Sequence, residues 1–205
     1  MNRYTITVYR IGFGLLTLTA LAFQLVYGLQ HIANFAAANY FSFFTIESNL
    51  FATIVFFVGA MKVWRGEKSS AGFDMLRGAA VLYMTMTGII YSLLLAGTDV
   101  QTPLPWVNAV LHYIFPVVVL VDWLVIPPAE KITWKQSLWW LVFPIAYLGY
   151  SLVRGSLTNW YPYPFLNVHQ HGYANVLVNA VFVAAAFFAV SAVIALLPRV
   201  QHKLS

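Results

Sequence analysis

Runs of about twenty predominantly apolar residues follow one another along nearly the whole chain and leave little sequence from which to build a water-facing surface. A helix that rises about 1.5 Å per residue needs about 20 such residues to cross the hydrocarbon core of a bilayer. Six segments meet that requirement, at about 8–28, 42–64, 75–96, 104–126, 136–155 and 173–197. Turn and charge signals separate them: Arg65-Gly66-Glu67-Lys68-Ser69-Ser70, the stretch Gly97-Thr98-Asp99 to Pro103, and Pro127-Pro128-Ala129-Glu130-Lys131, where proline cannot continue a helix. Only 8% of the residues are charged, against roughly 25% in a soluble domain. The expected fold is all-α and polytopic: a single transmembrane domain, residues 1–205, of six helices.

The basic residues set an orientation. With the N-terminus inside, Arg3, Arg10, Lys62, Arg65, Lys68, Arg77, Lys131, Lys135, Arg199 and Lys203 fall on the inner side and only Arg154 on the outer. That asymmetry predicts an even number of spans with both termini cytoplasmic. The net charge of +5 does not point to nucleic acid, because the cations lie between apolar runs and form no basic face. Trp64, Trp106, Trp123, Trp134, Trp160, Tyr161 and Tyr163 read as interfacial aromatic belts. The first apolar run continues to about Leu29 without a small-x-small cleavage site, so it reads as a retained helix, not a signal peptide. There is no cysteine, which excludes disulfides and thiolate metal sites.

Polar groups in hydrocarbon are costly and call for a partner or a purpose. Here they concentrate. Thr45, Ser48 and Asn49 share one face of the second span at i, i+3 and i+4, with Glu47 beside them; Asn108 and His112, and Asn175 and Asn179, repeat the i, i+4 spacing on the fourth and sixth. These spans all run from outside to inside, so the polar faces meet in the outer half of the membrane, with His112 roughly 12 Å along its helix. A shared pocket follows, with Arg154 at its rim and the loop 156–172 over its mouth as a lid or gate. The bland alternative is interhelical hydrogen bonding, and Gln24, Thr85 and Thr87 read that way. Asp122 reads equally as an interfacial carboxylate paired with a nearby cation or as a buried group. His169 and His171 form an H-x-H pair with no third ligand close in sequence, so no metal site is expected.

A hydroxyl from Thr45 or Ser48 becomes a nucleophile when a base takes its proton, and histidine is the usual base near neutral pH. Asparagines can orient such a base or bind an oxyanion. No G-x-S-x-G, H-E-x-x-H or Walker sequence is present. Spacing alone therefore yields a membrane-embedded polar pocket containing one histidine.

Three segments together carry a resemblance: Phe43-Phe44-Thr45-Ile46-Glu47-Ser48-Asn49-Leu50, Asn108-Ala109-Val110-Leu111-His112 with Pro116 one turn on, and Tyr163-Pro164-Phe165-Leu166. In this order they resemble the androgen-induced and androgen-dependent family of integral membrane proteins, and among these the bacterial members more closely than the animal enzymes. The resemblance implies an intramembrane threonine hydrolase that cleaves fatty acid esters of hydroxy fatty acids or similar lipids, without a cofactor. By position it makes Thr45 the nucleophile and His112 the general base, and it gives the Tyr163–Leu166 segment the shaping of the pocket. It also implies a bacterial inner membrane and a lipid substrate entering from the bilayer. Ser48, one turn from Thr45, stays open as the alternative nucleophile. Asn108 is expected to orient His112 and Asn49 to donate to the oxyanion. The rival expectation is a non-enzymatic membrane carrier or lipid-binding protein using the same pocket. A continuous polar path from His112 to Asp122 would favour it.

Overall fold

The computed structural model describes residues 2–97 and 103–204, with side chains up to residue 197. The predicted turn over Thr98 and Asp99 and the side chains of Arg199 and Lys203 lie outside the described residues. In chain order the helices are α1 (Arg3–His31), α2 (Phe44–Trp64), α3 (Ala71–Leu95), α4 (Pro105–Val125), α5 (Val142–Thr158) and α6 (Val168–Leu204), the last broken at Gly172. Among the described residues all regular structure is helical. Five helices among the described residues, all but α5, are long and apolar enough to cross a membrane. Their outward faces carry exposed Leu, Val, Ile and Phe, which is compatible with a lipid surround.

The fifth predicted span, 136–155, is built from pieces: a turn at Trp134–Ser137, a 3-10 segment at Leu138–Leu141, then α5 with 17 residues. The cause is Pro144. It has no N–H to give the carbonyl of Trp140 four residues back, and the Tyr83 hydroxyl of α3 donates to that carbonyl instead, at 2.8 Å.

Helix α1 packs along α2, and α3 lies against both α2 and α4. Helix α6 and the Trp134–Leu141 segment cover the far side of α3. Helix α5 stands further off. It reaches α2 and α3 through rings, with Phe44 5.1 Å from Tyr147 and Tyr83 5.2 Å from Phe143. A groove opens in the space between.

A charge cluster that the sequence reading missed joins α1, α3 and α4. Arg10 of α1 grips Asp122 of α4 with both Nε and Nη2, at 2.8 and 2.9 Å. Arg77 of α3 donates to Asp122 at 3.1 Å, to Asp74 at 3.0 Å and to the Ile126 carbonyl. Asp74 also accepts from the Ala129 amide at 2.8 Å and the Ser69 hydroxyl at 2.6 Å. The four side chains are all buried, two of each sign. Gly59 makes room for them, since a Cβ there would lie 2.8 Å from Arg10 Nη1. Arg10 and Arg77 are therefore not loop charges, and Asp122 is both paired and buried. Trp123 is no belt residue either: it is buried, with Arg77 over its ring, and its indole N–H donates to the Ile194 carbonyl.

Candidate functional site

Helix α2 begins without a capping side chain, because its N-cap is Phe43. The first amides of a helix have no partner within it. Those of Ile46 and Glu47 turn back to the Phe43 carbonyl. Those of Phe44 and Thr45 are met from outside: the Phe44 N–H donates to the Tyr147 hydroxyl at 3.1 Å, and the Thr45 N–H to the Tyr163 hydroxyl at 3.3 Å. Two tyrosines, one from α5 and one from the loop after it, thus fix the helix end that carries Thr45.

His112 sits in a π-helical turn of α4, Val110–Ile114. Its Nδ1 lies 3.2 Å from the Asn108 carbonyl, which can only accept, so Nδ1 carries the proton. Nε2 is left with its lone pair, and it faces the Thr45 hydroxyl at 3.3 Å. The ring is held flat against Tyr91, with centroids 3.9 Å apart and planes 21° apart. The Asn108 side chain donates to the Tyr91 hydroxyl at 2.7 Å. Asn108 therefore meets His112 through its backbone carbonyl and, by way of Tyr91, through its side-chain amide. Pro116 lacks the N–H that would have bonded the His112 carbonyl, and Gly88 of α3 packs against this turn: a Cβ on it would meet that carbonyl at 3.3 Å.

The other predicted residues divide. Ser48 is fully buried but turned from His112, with its hydroxyl 3.2 Å from the Thr45 carbonyl and 3.0 Å from Thr87 Oγ1. Asn49 gives its amide hydrogens to the Thr45 and Leu111 carbonyls, at 2.8 and 3.2 Å, which leaves none for an oxyanion. Glu47 is half-buried outside the walls of the cavities described below, and its Oε2 has no hydrogen-bond partner among the described residues. Arg154 donates to Asn39 at 2.6 Å and lies over the ring of Trp160, which packs on Phe43. Asn175 is exposed on α6 and donates to its own helix, at the His171 carbonyl. The phase of α6 turns Val176 and Ala180 inward instead. Asn179 reaches the Phe165 carbonyl at 3.4 Å. The loop 156–172 packs onto the bundle and buries Tyr161, Tyr163 and Leu166. His169 and His171 are exposed.

Two cavities touch Thr45, and a third adjoins Tyr163. One is the apolar groove between α2, α3, α5 and α6, about 850 Å³ including its open mouth, with Thr45, Tyr147, Pro144, Ala180, Val183 and Phe187 in its walls. A small void on the other side of Thr45 touches His112, Gln24, Phe43 and Tyr163. A vestibule under the loop is walled by Phe43, Trp160, Tyr161, Tyr163, Asn167 and Gln170. Toward Asp122, by contrast, Leu111, Phe115, Val118 and Val119 are buried, and the Phe56 and Phe115 rings pack 5.2 Å apart. On α4 the buried side chains between His112 and the charge cluster are thus apolar, whereas α2 carries the buried polar Asn49 and Thr53 on the turns after Thr45. Compared with protein-family models, with curated proteins and with solved structures, the chain gives no significant match.

Proposed function

We propose that the protein is an intramembrane lipid ester hydrolase with Thr45 as nucleophile and His112 as general base. The observation that carries this reading is the Thr45 Oγ1–His112 Nε2 contact of 3.3 Å at the end of an apolar groove, with the tautomer that leaves Nε2 free to take a proton. That is a hydroxyl, a base and a group that orients the base, the arrangement nucleophilic catalysis needs. The acyl chain of the substrate lies in the groove, which it enters sideways from lipid between α5 and α6. Thr45 Oγ1 attacks the carbonyl carbon as its proton passes to His112 Nε2. The tetrahedral carbon then expels the alcohol, which leaves with the proton from Nε2, and the acyl group stays on Thr45. Water from the vestibule attacks next, His112 takes its proton, and collapse frees the fatty acid and returns the proton to Thr45.

Ser48 serves this centre by holding the Thr45 backbone, since its hydroxyl has partners of its own and none is His112. In keeping with the resemblance, fatty acid esters of hydroxy fatty acids or similar lipids are the proposed substrates, and the inner membrane of a bacterium the proposed location. The chain crosses that membrane six times, with the pieced Trp134–Thr158 segment as the fifth crossing and both termini in the cytoplasm. The positive-inside bias holds without Arg10 and Arg77, because Arg3, Lys62, Arg65, Lys68, Lys131 and Lys135 still lie toward that side. A continuous polar path from His112 to Asp122 favours the carrier alternative; along α4 the buried residues between the two are apolar, while α2 carries the buried Asn49 and Thr53 on the turns after Thr45.

Labelling of the purified protein with a fluorophosphonate tests the reading. Wild type and Ser48→Ala should take up the probe, and Thr45→Ala and His112→Ala should not. Full ester turnover by both Thr45→Ala and His112→Ala would refute it.

A further inference from the structure

We infer that Tyr163 is a catalytic residue, whose hydroxyl donates to the oxyanion formed when Thr45 attacks an ester carbonyl. The inference rests on the hydrolase reading and supplies the one component that reading lacks, since the amide of Asn49 is spent on two carbonyls.

The two tyrosines at the start of α2 look equivalent, but their protons are disposed differently. The Tyr147 hydroxyl accepts from the Phe44 amide and donates to the Ser42 carbonyl at 2.9 Å, so its proton is committed. The Tyr163 hydroxyl accepts from the Thr45 amide, and its remaining hydrogen-bond neighbour is the Thr45 hydroxyl at 3.5 Å. No carbonyl takes its proton among the described residues. An O–H that accepts a hydrogen bond while keeping its own proton free is a strengthened donor. When Oγ1 bonds to the carbonyl carbon, the new oxyanion stands one bond angle from Oγ1, within reach of a donor on that side. The arrangement also places the negative charge at the N-terminal end of a 21-residue helix, the end of favourable potential.

Position gives an independent argument. Tyr163 borders the groove, the void beside His112 and the vestibule alike. It therefore stands where the acyl chain, the reacting carbon and incoming water converge. Its ring is fixed by a parallel stack on Phe165 and an edge contact with Phe43, so the hydroxyl is preorganised. Preorganised donors of this kind are worth about 10²- to 10³-fold in kcat.

The test compares wild type, Thr45→Ala and Tyr163→Phe on a medium-chain 4-nitrophenyl ester. It also compares wild type and Tyr163→Phe for affinity toward a trifluoromethyl ketone, whose Thr45 adduct carries an oxyanion, and toward an inert ether of equal length. Tyr163→Phe should lose about 10²-fold or more in kcat with KM nearly unchanged. It should bind the ketone more weakly by a similar factor and the ether equally well. Turnover that depends on Thr45 but survives Tyr163→Phe overturns this inference alone; a wild type with no Thr45-dependent turnover overturns the hydrolase reading and this inference with it. Should Tyr163→Phe fail to fold, 3-fluorotyrosine at position 163 gives a second readout. Its ¹⁹F resonance should shift when a fluorophosphonate occupies Thr45, and an unmoved resonance overturns the inference.

Discussion

Removing the Asp122 carboxylate should be among the most destabilising single changes in the chain. Asp122 is 5% exposed and accepts three charge-assisted hydrogen bonds, two from Arg10 and one from Arg77. In Asp122→Ala, Arg77 keeps Asp74 and the Ile126 carbonyl, but Arg10 Nε and Nη2 lose their buried partner. Breaking a buried pair from one side costs about 3–5 kcal/mol, most of it from the charge left behind. The double variant Arg10→Met, Asp122→Leu removes one charge of each sign and leaves Arg77 with Asp74. It should return to within about 1 kcal/mol of wild type, because a buried pair gains little over an apolar replacement of similar volume. The assay is equilibrium unfolding in mixed micelles against SDS mole fraction, run as a double-mutant cycle. Ester turnover per folded molecule should stay at the wild-type level, since Asp122 is ten residues and roughly 15 Å along α4 from His112. A cost below about 1 kcal/mol for Asp122→Ala would refute the burial argument, as would a double variant no more stable than the single. Loss of activity with stability intact would make the cluster part of a transport or catalytic path.

Two further outcomes follow from the site. Gly88→Ala places a Cβ 3.3 Å from the His112 carbonyl and 3.4 Å from Pro116 Cβ; the shifted His112 turn should lower kcat by about 10-fold or more, measured on the same 4-nitrophenyl ester. Ala180→Phe fills part of the groove wall, so a chain-length series should show a raised KM for long acyl chains and little change for short ones, whereas a uniform effect would place the acyl chain elsewhere.

The helical architecture was legible because a bilayer imposes a single dominant requirement, and runs of apolar residues report it directly. The exception, α5, is also local in origin: Pro144 was visible, but the compensation by Tyr83 across 57 residues was not. The pairing of Thr45 with His112 was approached through the concentration of polar residues at one depth and through the resemblance. Helical spacing correctly made neighbours of Asn108 and His112, yet it could not say that the backbone carbonyl of Asn108 would be the partner. The placement of Asn175 failed for a related reason. An i, i+4 pair defines a face but not its direction, and the packing of α6 turned Val176 and Ala180 to the interior.

Two omissions share one physical cause. Arg10, Arg77 and Asp122 all fall inside predicted spans, and a charge at that depth requires a partner of opposite sign; counting Arg10 and Arg77 as loop cations hid the pairing. Tyr83, Tyr91 and Tyr147 likewise carry hydroxyls into hydrocarbon, where each must find a partner. In the fold each of them bonds a backbone group or an amide: Tyr83 the Trp140 carbonyl, Tyr91 the Asn108 side chain, Tyr147 the Ser42 carbonyl and the Phe44 amide. Tyrosine counts as apolar in a hydropathy reading, so its hydroxyl escapes the rule that singles out asparagine. Applied to hydroxyls as well, the rule sets Tyr163 apart, because it is buried, it accepts from a helix amide, and its proton has nowhere to go but the reacting centre.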